Sequence, residues 1–223
     1  MSRAHTLARL NTSFILRNRR RGATLRRLYK SIGLVYFGSI HQHHDDLNIV
    51  RGFTSSLTHT DTHFAVGTYN GHNLRIVDRW DIFKTHQAKR HLQRWLIIEI
   101  SLSHPDLRHI VLLPTGHDSS AYERLFVTQP HMQPLNTLLK DKHSREFHGR
   151  FQILSRTTHL QAVERIFDSP TIAAIASRFW PIGIEIEHGK LLLYITEPEL
   201  KKERLESSLS SALWLADKIN NAS

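Results

Sequence analysis

The chain of 223 residues contains no cysteine. Disulfide bonds, thiolate zinc sites and cysteine nucleophiles are therefore excluded. The absence leaves the compartment open, because a protein without cysteine tolerates both reducing and oxidising surroundings. No apolar run approaches the roughly 18 residues that a membrane-spanning helix needs. The sequence therefore predicts a protein that is soluble or attached to the periphery of a membrane.

The short motifs of several common enzyme classes are also missing. There is no Gly-x-Ser-x-Gly elbow, no Walker loop and no Gly-x-Gly-x-x-Gly after a strand. His117, Asp118 and Ser119 are adjacent, but neighbours in sequence do not make a catalytic triad. Glu185 and Glu187 alternate with isoleucines, which predicts the solvent face of a hairpin. We therefore assign no catalytic residue and no cofactor.

Acidic residues are absent from residues 1–44, and this absence locates the net charge of +10. The segment holds nine basic residues, so the rest of the chain is nearly neutral. The nine are Arg3, Arg9, Arg17, Arg19, Arg20, Arg21, Arg26, Arg27 and Lys30. The charge is thus a property of the N-terminal segment and not of the whole protein.

This basic segment has three interpretations. It could be an organelle transit peptide with Leu7, Leu10 and Phe14 on one helical face, or a solvated basic tail. It could also bind an anionic partner, because clustered guanidinium groups pair with phosphates and release counterions. Our leading hypothesis is the last, a non-enzymatic interaction or adaptor domain that contacts nucleic acid, an anionic membrane surface or an acidic protein. In this hypothesis the protein is cytoplasmic, and its oligomeric state is left open.

The candidate contacts for the anionic partner are the basic residues from position 17 to position 30 of this segment. They are Arg17, Arg19, Arg20, Arg21, Arg26, Arg27 and Lys30. Arg51 is a separate candidate for an anion contact. Tyr36, Phe37, Phe64 and Tyr69 could stack on the bases of a single strand, although aromatic residues within strands are more often part of a core.

The remaining pattern predicts one α+β domain over residues 23–223, preceded by a flexible basic arm over residues 1–22. With 40% hydrophobic and 22% charged residues, the composition is that of a globular protein. Leu25, Leu28, Tyr29 and Ile32 fall at i, i+3, i+4 and i+7, which predicts a helix that ends at Gly33. A strand is expected to follow in LVYFGSIH.

Antiparallel hairpins are predicted at three places. Asn70-Gly71 separates two runs of β-forming residues and suits a type I′ turn. RWLIIEISL and LRHIVLLP flank the turn cluster 103–106, and so predict a second hairpin and a four-stranded meander. Its expected buried residues are Leu96, Ile98, Ile100, Ile110 and Leu112. The third hairpin is predicted around His188-Gly189.

Helices and loops account for the rest of the prediction. A short helix is expected from Asp118 to Phe126, and a loop over residues 127–146 with one helical turn at 135–140. GRFQILS predicts a strand, followed by helices in HLQAVERIF and TIAAIASRF. Residues 196–199 read as a capping box that opens a C-terminal helix. Its expected buried face is Leu205, Leu209, Leu213, Ala216 and Ile219.

The order of these segments resembles a bacterial domain family of unknown function. The segments that carry the resemblance are GTYNGHNLRIVDR, IVLLP, FHGRFQILS, HLQAVERI, TIAAIA and IEIEHGKLLLYIT, within residues 34–200. YFGSIHQHHDDLNIVRG and THTDTHFAVGTYNG are similar to uncharacterised proteins of reduced-genome bacteria. The resemblance implies a hairpin-built sheet with helices and implies no catalytic residues. Relatives of the wider family often have a membrane-spanning segment where this chain has a basic helix.

Two histidine-rich stretches offer an alternative from another class, a metal-dependent hydrolase using residues 41–63. On extended strands, each stretch places two imidazoles and a carboxylate on one face, a set that suits iron or zinc. The sets are His41, His43 and Asp45, and His59, Asp61 and His63. Neither stretch matches His-x-His-x-Asp-His, and 17 histidines pair at such spacings by chance. We therefore rank this alternative second and assign no metal ligand.

Overall fold

The computed structural model describes residues 2–40, 58–84, 90–116, 132–139, 144–197 and 199–222. They form helices packed on an antiparallel sheet, which confirms the predicted α+β class. The strands are β1 (Val35–Ile40), β2 (Thr58–Tyr69), β3 (His72–Lys84), β4 (Arg90–Ser101), β5 (Ile110–Pro114), β6 (Gln133–Pro134), β7 (Phe151–Ser155), β8 (Gly183–Glu187) and β9 (Lys190–Ile195). The helices are α1 (Ser2–Ser31), α2 (Arg145–Arg150), α3 (Leu160–Ile166), α4 (Ser169–Arg178) and α5 (Lys202–Ala222), with a 3-10 turn at Thr157–His159.

All described strands belong to one sheet in the order β1-β2-β3-β4-β9-β8-β5-β7-β6. Two of the predicted hairpins are confirmed, β2–β3 and β8–β9. Asn70 and Gly71 adopt φ of 49° and 82°, which is the left-handed backbone that a type I′ turn requires. His188 and Gly189 do the same at the second turn. Both turns were readable because few residues tolerate this conformation.

The predicted hairpin between β4 and β5 is wrong. β4 pairs with β9 and β5 pairs with β8, so the β8–β9 hairpin separates the two strands. The five residues expected to be buried are indeed fully buried. Burial identifies a strand as central but does not identify its neighbour, so the sequence could not exclude a later hairpin. Gly189 fits this arrangement closely, because a Cβ atom there would lie 2.9 Å from the Cα atom of Pro105.

The helices cover one face of the sheet. The predicted stripe of α1 is confirmed, since Leu25, Leu28 and Tyr29 are buried and Ile32 packs against the same core. Gly33 adopts φ of 75°, as expected of the residue that ends the helix. The predictions for β7, α3 and α4 are confirmed as well. On the opposite face a smaller core surrounds Trp95 and Tyr194.

The C-terminal helix begins at Lys202, so the predicted capping box at residues 196–199 is wrong. The Glu197 carboxylate accepts a hydrogen bond from Arg204, and its carbonyl accepts one from Arg21. Leu200 is buried. These contacts with distant residues hold the segment out of the helix. The predicted buried face of the helix itself is confirmed.

Some predicted elements lie partly or wholly outside the described residues. The helix expected over residues 118–126 is one of them. Within the segment predicted as loop, the described residues include β6 and the start of α2. Leu135 to Leu139 forms the expected turn, with both leucines buried. The boundary between an arm and a domain at residue 22 stays a prediction; α1 runs through it as one helix.

We expect Gly22→Ala to destabilise the protein, although alanine is usually the better helix residue. A Cβ atom at Gly22 would lie 2.6 Å from Cε1 and 2.8 Å from Nε2 of His63. The imidazole would have to move and give up its 2.9 Å hydrogen bond to the Tyr36 hydroxyl. We expect urea unfolding to show a loss of about 1–3 kcal/mol.

The matched background for this test is His63→Asn. Asparagine tolerates the φ of 53° at this position and removes the ring that the new methyl group would meet. In that background Gly22→Ala should be neutral or stabilising by up to about 1 kcal/mol. Equal effects of the alanine in both backgrounds would contradict the packing of His63 on α1.

Candidate functional site

The basic residues of α1 lie in three different environments. Arg19, Arg26 and Lys30, at i, i+7 and i+11, share one exposed flank. This flank faces the edge of the sheet where β1 pairs with β2. Burial lowers the pKa of His63 on β2, Asp78 opposes this, and the nearby Arg26 charge lowers it further. None of these three cations has an ion-pair partner within the described residues.

The opposite flank of α1 borders a cleft of about 300 Å³ in front of α5. Arg17, Arg20 and Arg27 line it at i, i+3 and i+10. The buried Arg21 borders it as well, and Lys201 contributes a cation from the other side. Glu199 is the acidic residue of the lining. The cleft is therefore strongly positive and is a second place on α1 where an anionic group could bind.

The third environment is the buried contact between α1 and the sheet. Arg21 is only 3% exposed, and its Nε atom donates to both carboxylate oxygens of Asp78 on β3, at 3.0 and 3.2 Å. A second guanidinium approaches the same carboxylate, because Arg94 on β4 donates to it from Nε and Nη2. Burial lowers the pKa of Arg21, and the charge and hydrogen bonds of Asp78 counteract the effect.

One carboxylate neutralises only one of these two guanidinium groups, and nearby polar and aromatic groups stabilise the remaining positive charge. Arg21 Nη1 donates to the Glu197 carbonyl at 2.8 Å, and Arg94 Nη1 donates to the Asn18 side chain. Arg94 also lies over the Trp80 ring, 4.4 Å from its centre. Arg21 therefore holds α1 in place and does not belong to an exposed basic surface. The other six predicted contacts are exposed, and Arg51 lies outside the described residues.

Exposed apolar side chains lie on α1 and on the edge strand that follows it. On the edge strand β1, Val35 is 58% exposed and Phe37 is 50% exposed. Leu16 on α1 is 50% exposed. β1 follows α1 after a short turn. The Tyr36 ring faces α1, whereas Phe37 contacts Phe64 of the smaller core, so Val35 and Phe37 project from the other face of this edge strand.

The four aromatic residues proposed to stack on bases are mostly engaged elsewhere. Phe64 is buried, and Tyr69 packs against the core. The Tyr36 ring stacks on Tyr29 and on His63, at centroid distances of 6.0 and 6.1 Å. Phe37 is half exposed and contacts the Phe64 ring. The described residues thus do not present these four rings as a shared platform.

The expectation that His59, Asp61 and His63 share one face is wrong. A β-bulge interrupts the pairing of β2 with β3 after Thr62, and His63 adopts positive φ. His63 consequently meets α1, whereas Asp61 pairs with Arg79 on the opposite face of the sheet. The stretch with His41, His43 and Asp45 lies outside the described residues.

Asp61 also has its oxygens engaged. Arg79 donates from Nε at 2.7 Å to one oxygen and from Nη2 at 2.9 Å to the other, and both residues are buried. Burial alone would lower the pKa of Arg79, but the hydrogen bonds and charge of Asp61, with Asp81, raise it. Asp61 and Arg79 thus form a buried ion pair, and His59 Nε2 lies 3.7 Å from the same carboxylate.

Glu185 is fully buried, so its predicted place on a solvent face is wrong. The Tyr194 hydroxyl donates to one carboxylate oxygen, and His109 Nε2 lies 2.8 Å from the other. Both faces of a central strand are buried here, and strand alternation alone does not reveal a second core. Burial, with the Glu185 carboxylate, raises the pKa of Tyr194 well above its ordinary value. The sequence analysis did not predict the buried contacts among Glu185, Tyr194 and His109. The β-forming residues on both sides of Glu185 were the one feature that indicated a central strand.

His109, Glu185 and Glu187 are the described residues whose donor atoms come close enough to share a metal ion, within 4.8 Å of one another. Nitrogen and carboxylate donors of this kind suit zinc, manganese or iron. Each imidazole nitrogen already faces a carboxylate, with Nδ1 lying 3.7 Å from Glu187. A metal would have to displace these contacts. Burial raises the pKa of Glu187, His109 opposes this, and Glu185 adds to it.

Comparison with known proteins identifies the fold and no family. No protein-family model matches the chain, and a search of curated proteins also gives no match. The crystal structure of the mycobacterial trehalose monomycolate transport factor A, TtfA, is similar with a TM-score of 0.58 and 14% sequence identity. The match covers 91% of this chain and 94% of that one. At such an identity it shows a shared fold alone. The resemblance to a bacterial domain family stays a prediction.

A search of the described helices for membrane spans found none long and apolar enough. α1 is the longest of them, and it carries two arginines in its first half and seven basic residues in its second. This agrees with the expectation from the sequence.

We expect Asp78→Asn to be strongly destabilising, because it leaves the buried guanidinium of Arg21 and the partly buried one of Arg94 without a negative charge. The loss should be about 3–5 kcal/mol in urea or guanidinium unfolding. Asp217→Asn is the control, since Asp217 also contacts a basic side chain, with His72 Nε2 at 3.0 Å, but its own side chain is 63% exposed. That variant should lose less than about 1 kcal/mol. Similar losses in both variants would show that Asp78 does not fix α1 to the sheet.

We expect Tyr194→Phe to cost about 1–3 kcal/mol, because one oxygen of the buried Glu185 loses its donor. The ring contact with Trp95 should survive, since only the hydroxyl is removed. Tyr69→Phe provides the control at a half-buried tyrosine. With Glu185→Gln present, the effect of Tyr194→Phe should shrink; an unchanged effect in this double-mutant cycle would refute the coupling.

Proposed function

We propose that the chain is a non-enzymatic interaction domain that attaches peripherally to an anionic membrane surface through α1 and β1. The observations that carry the proposal are three exposed, unpaired cations on one flank of α1 and the exposed Val35 and Phe37 on the edge strand that follows it. Basic residues are attracted to anionic headgroups, and neighbouring apolar side chains enter the interface below them. In this proposal the protein is cytoplasmic.

The arrangement of α1 supports contact with an extended surface. A helix of 30 residues is about 45 Å long. Its C-terminal half is fixed to the sheet by Asp78, so the basic flank has a defined orientation next to β1. Arg17, Arg20 and Arg27 on the other flank extend the positive potential around the helix. A fixed row of cations loses little conformational freedom on binding.

A membrane surface suits these residues better than nucleic acid does. Single-stranded nucleic acid binds to aromatic rings that are free to stack, and three of the four candidate rings are buried or stacked internally. The exposed Val35 and Leu16 are aliphatic, which suits the acyl region of a bilayer. Nucleic acid is therefore an alternative outcome of the test and not the proposal.

The similarity to TtfA adds only a fold-level analogy. That protein is named as a transport factor for trehalose monomycolate. A shared fold at 14% identity does not transfer a substrate or partner. The proposal therefore rests on the charges and the exposed side chains of this chain.

The test is cosedimentation of the full chain with vesicles that contain phosphatidylserine, compared with vesicles of phosphatidylcholine alone. We expect binding to the anionic vesicles only, with a steep decrease as salt rises. Arg19→Gln/Arg26→Gln/Lys30→Gln should weaken binding by about 100-fold, since each cation near the surface contributes about 1 kcal/mol. Val35→Thr should weaken it modestly and equally at all salt concentrations.

The matched control is Arg145→Gln/Arg178→Gln/Lys218→Gln, which removes three exposed positive charges that lie on other helices. It should bind as the natural chain does. Equal binding by the two triple variants would refute the role of the flank. Binding to single-stranded RNA or DNA without any binding to vesicles would replace the membrane by nucleic acid as the partner.

A further inference from the structure

Two adjoining clefts lie between the β4–β5 connection and the segment from β7 to α3. One has a volume of about 690 Å³ and the other about 390 Å³. Both are lined by Asp106, Leu107, Arg108 and His159, so they share a wall at these residues. Volumes of 300–1,000 Å³ are typical of sites for small molecules. The clefts are distant in sequence from α1, and none of its residues lines them.

The arginines around these clefts differ from most others in the body of the protein. Arg108 lines both clefts, Arg156 lines the larger and Arg165 lines the smaller. None of the three has an ion-pair partner among the described residues. By contrast, carboxylates hold the arginines at positions 21, 75, 79, 94, 150 and 204. Unpaired guanidinium groups that converge on a concave surface are suited to binding an anion.

His159 lies among these arginines and is oriented by the protein. The Ser155 hydroxyl donates to the His109 carbonyl at 2.7 Å, so its oxygen is left to accept from His159 Nδ1 at 3.4 Å. This contact favours the tautomer with the proton on Nδ1 and leaves Nε2 for a ligand. Burial lowers the pKa of His159, and the positive charges of Arg108, Arg156 and His109 lower it further.

The far end of the larger cleft carries an acidic side chain and imidazoles in place of arginines. Glu187 and His188 line it together with His109, which the buried Glu185 holds in place. Glu187 accepts hydrogen bonds readily and would repel an anion. A ligand that satisfies both ends therefore carries an anionic group toward the arginines and a hydroxyl or similar donor toward Glu187.

We propose that these clefts bind a small phosphate ester, with its phosphate between Arg108, Arg156 and His159 and its polar remainder toward Glu187 and His188. Guanidinium groups match phosphate oxygens in pairs, and the imidazole adds a third donor once it is protonated. This site is independent of the proposed membrane-binding surface on α1, because the two share no residue.

Binding at this site should depend on pH. The groups that face His159 are Arg108, Arg156 and His109, with Asp106, Arg165, Glu187 and His188 in the same clefts. A bound phosphate would cancel part of the positive potential and raise the pKa of His159 from its lowered value. The complex then takes up a proton at His159, and this imidazole should favour binding as pH falls from about 7.5 to about 6. The second ionisation of the phosphate, at about pH 6, acts in the opposite sense. Arginine does not titrate in this range.

The experiment measures the binding of inorganic phosphate and glycerol 3-phosphate to the full chain, by thermal shift and calorimetry. At about 10 mM, glycerol 3-phosphate should raise the melting temperature. Arg108→Gln/Arg156→Gln should reduce affinity at least tenfold, whereas Arg145→Gln/Lys218→Gln, outside both clefts, should not. His159→Asn should remove the proton uptake that calorimetry detects in buffers of different ionisation enthalpy, so that only the pH dependence of the phosphate's own ionisation remains.

The outcomes separate the possible sources of the phosphate. Binding to vesicles with phosphatidic acid but not to soluble esters, if lost in Arg108→Gln/Arg156→Gln, would support the site with a lipid headgroup as ligand. A melting temperature that no phosphate compound changes, or an equal response to sulfate, would overturn the proposal. So would unchanged affinity in both Arg108→Gln/Arg156→Gln and His159→Asn. These cleft variants leave α1 intact, so failure here does not bear on the membrane-binding test.

Discussion

The carboxylate of Asp78 connects the longest helix to the sheet, and much of the molecule is arranged around it. It lies fully buried between the guanidinium groups of Arg21 on α1 and Arg94 on β4. Two cations around one anion leave a positive charge that must be dispersed away from water. The Glu197 carbonyl accepts a hydrogen bond from Arg21 and connects the segment before α5 to α1, and the Asn18 side chain accepts one from Arg94 and connects β4 to α1. One ion cluster thereby fixes three elements that are far apart in sequence.

This cluster also decides what the basic residues of α1 are available for. Because Arg21 and Gly22 face the sheet, the helix has one orientation, and its other cations divide into two flanks. One flank lies toward the edge strand β1, and the other borders the cleft near Lys201. A freely rotating basic tail would have no such division. The proposed membrane contact is therefore a consequence of where the structural arginine is placed.

The opposite face of the sheet contains separate pairs of ionisable groups. It holds ionisable groups in pairs, Asp61 with Arg79 and Glu185 with His109, among apolar residues such as Trp95. Groups of this kind are tolerated next to a core only when each has a partner with good geometry. Near the end of β5, Arg108 and Arg156 have no carboxylate partner among the described residues and line open clefts instead. The change from paired to unpaired cations marks the second candidate site.

The sequence by itself determined the α+β class, the two glycine-containing hairpin turns, the stripe of α1 and the buried face of α5. Each depends on residues close in the chain, through periodicity or through a backbone conformation that few residues tolerate. The tertiary structure alone decided that β9 and not β5 pairs with β4, that α5 begins at Lys202, that Arg21 is buried, and that Glu185 belongs to a core. These depend on which distant segments meet, and a carboxylate or guanidinium has the same appearance in a sequence whether its partner is water or another side chain.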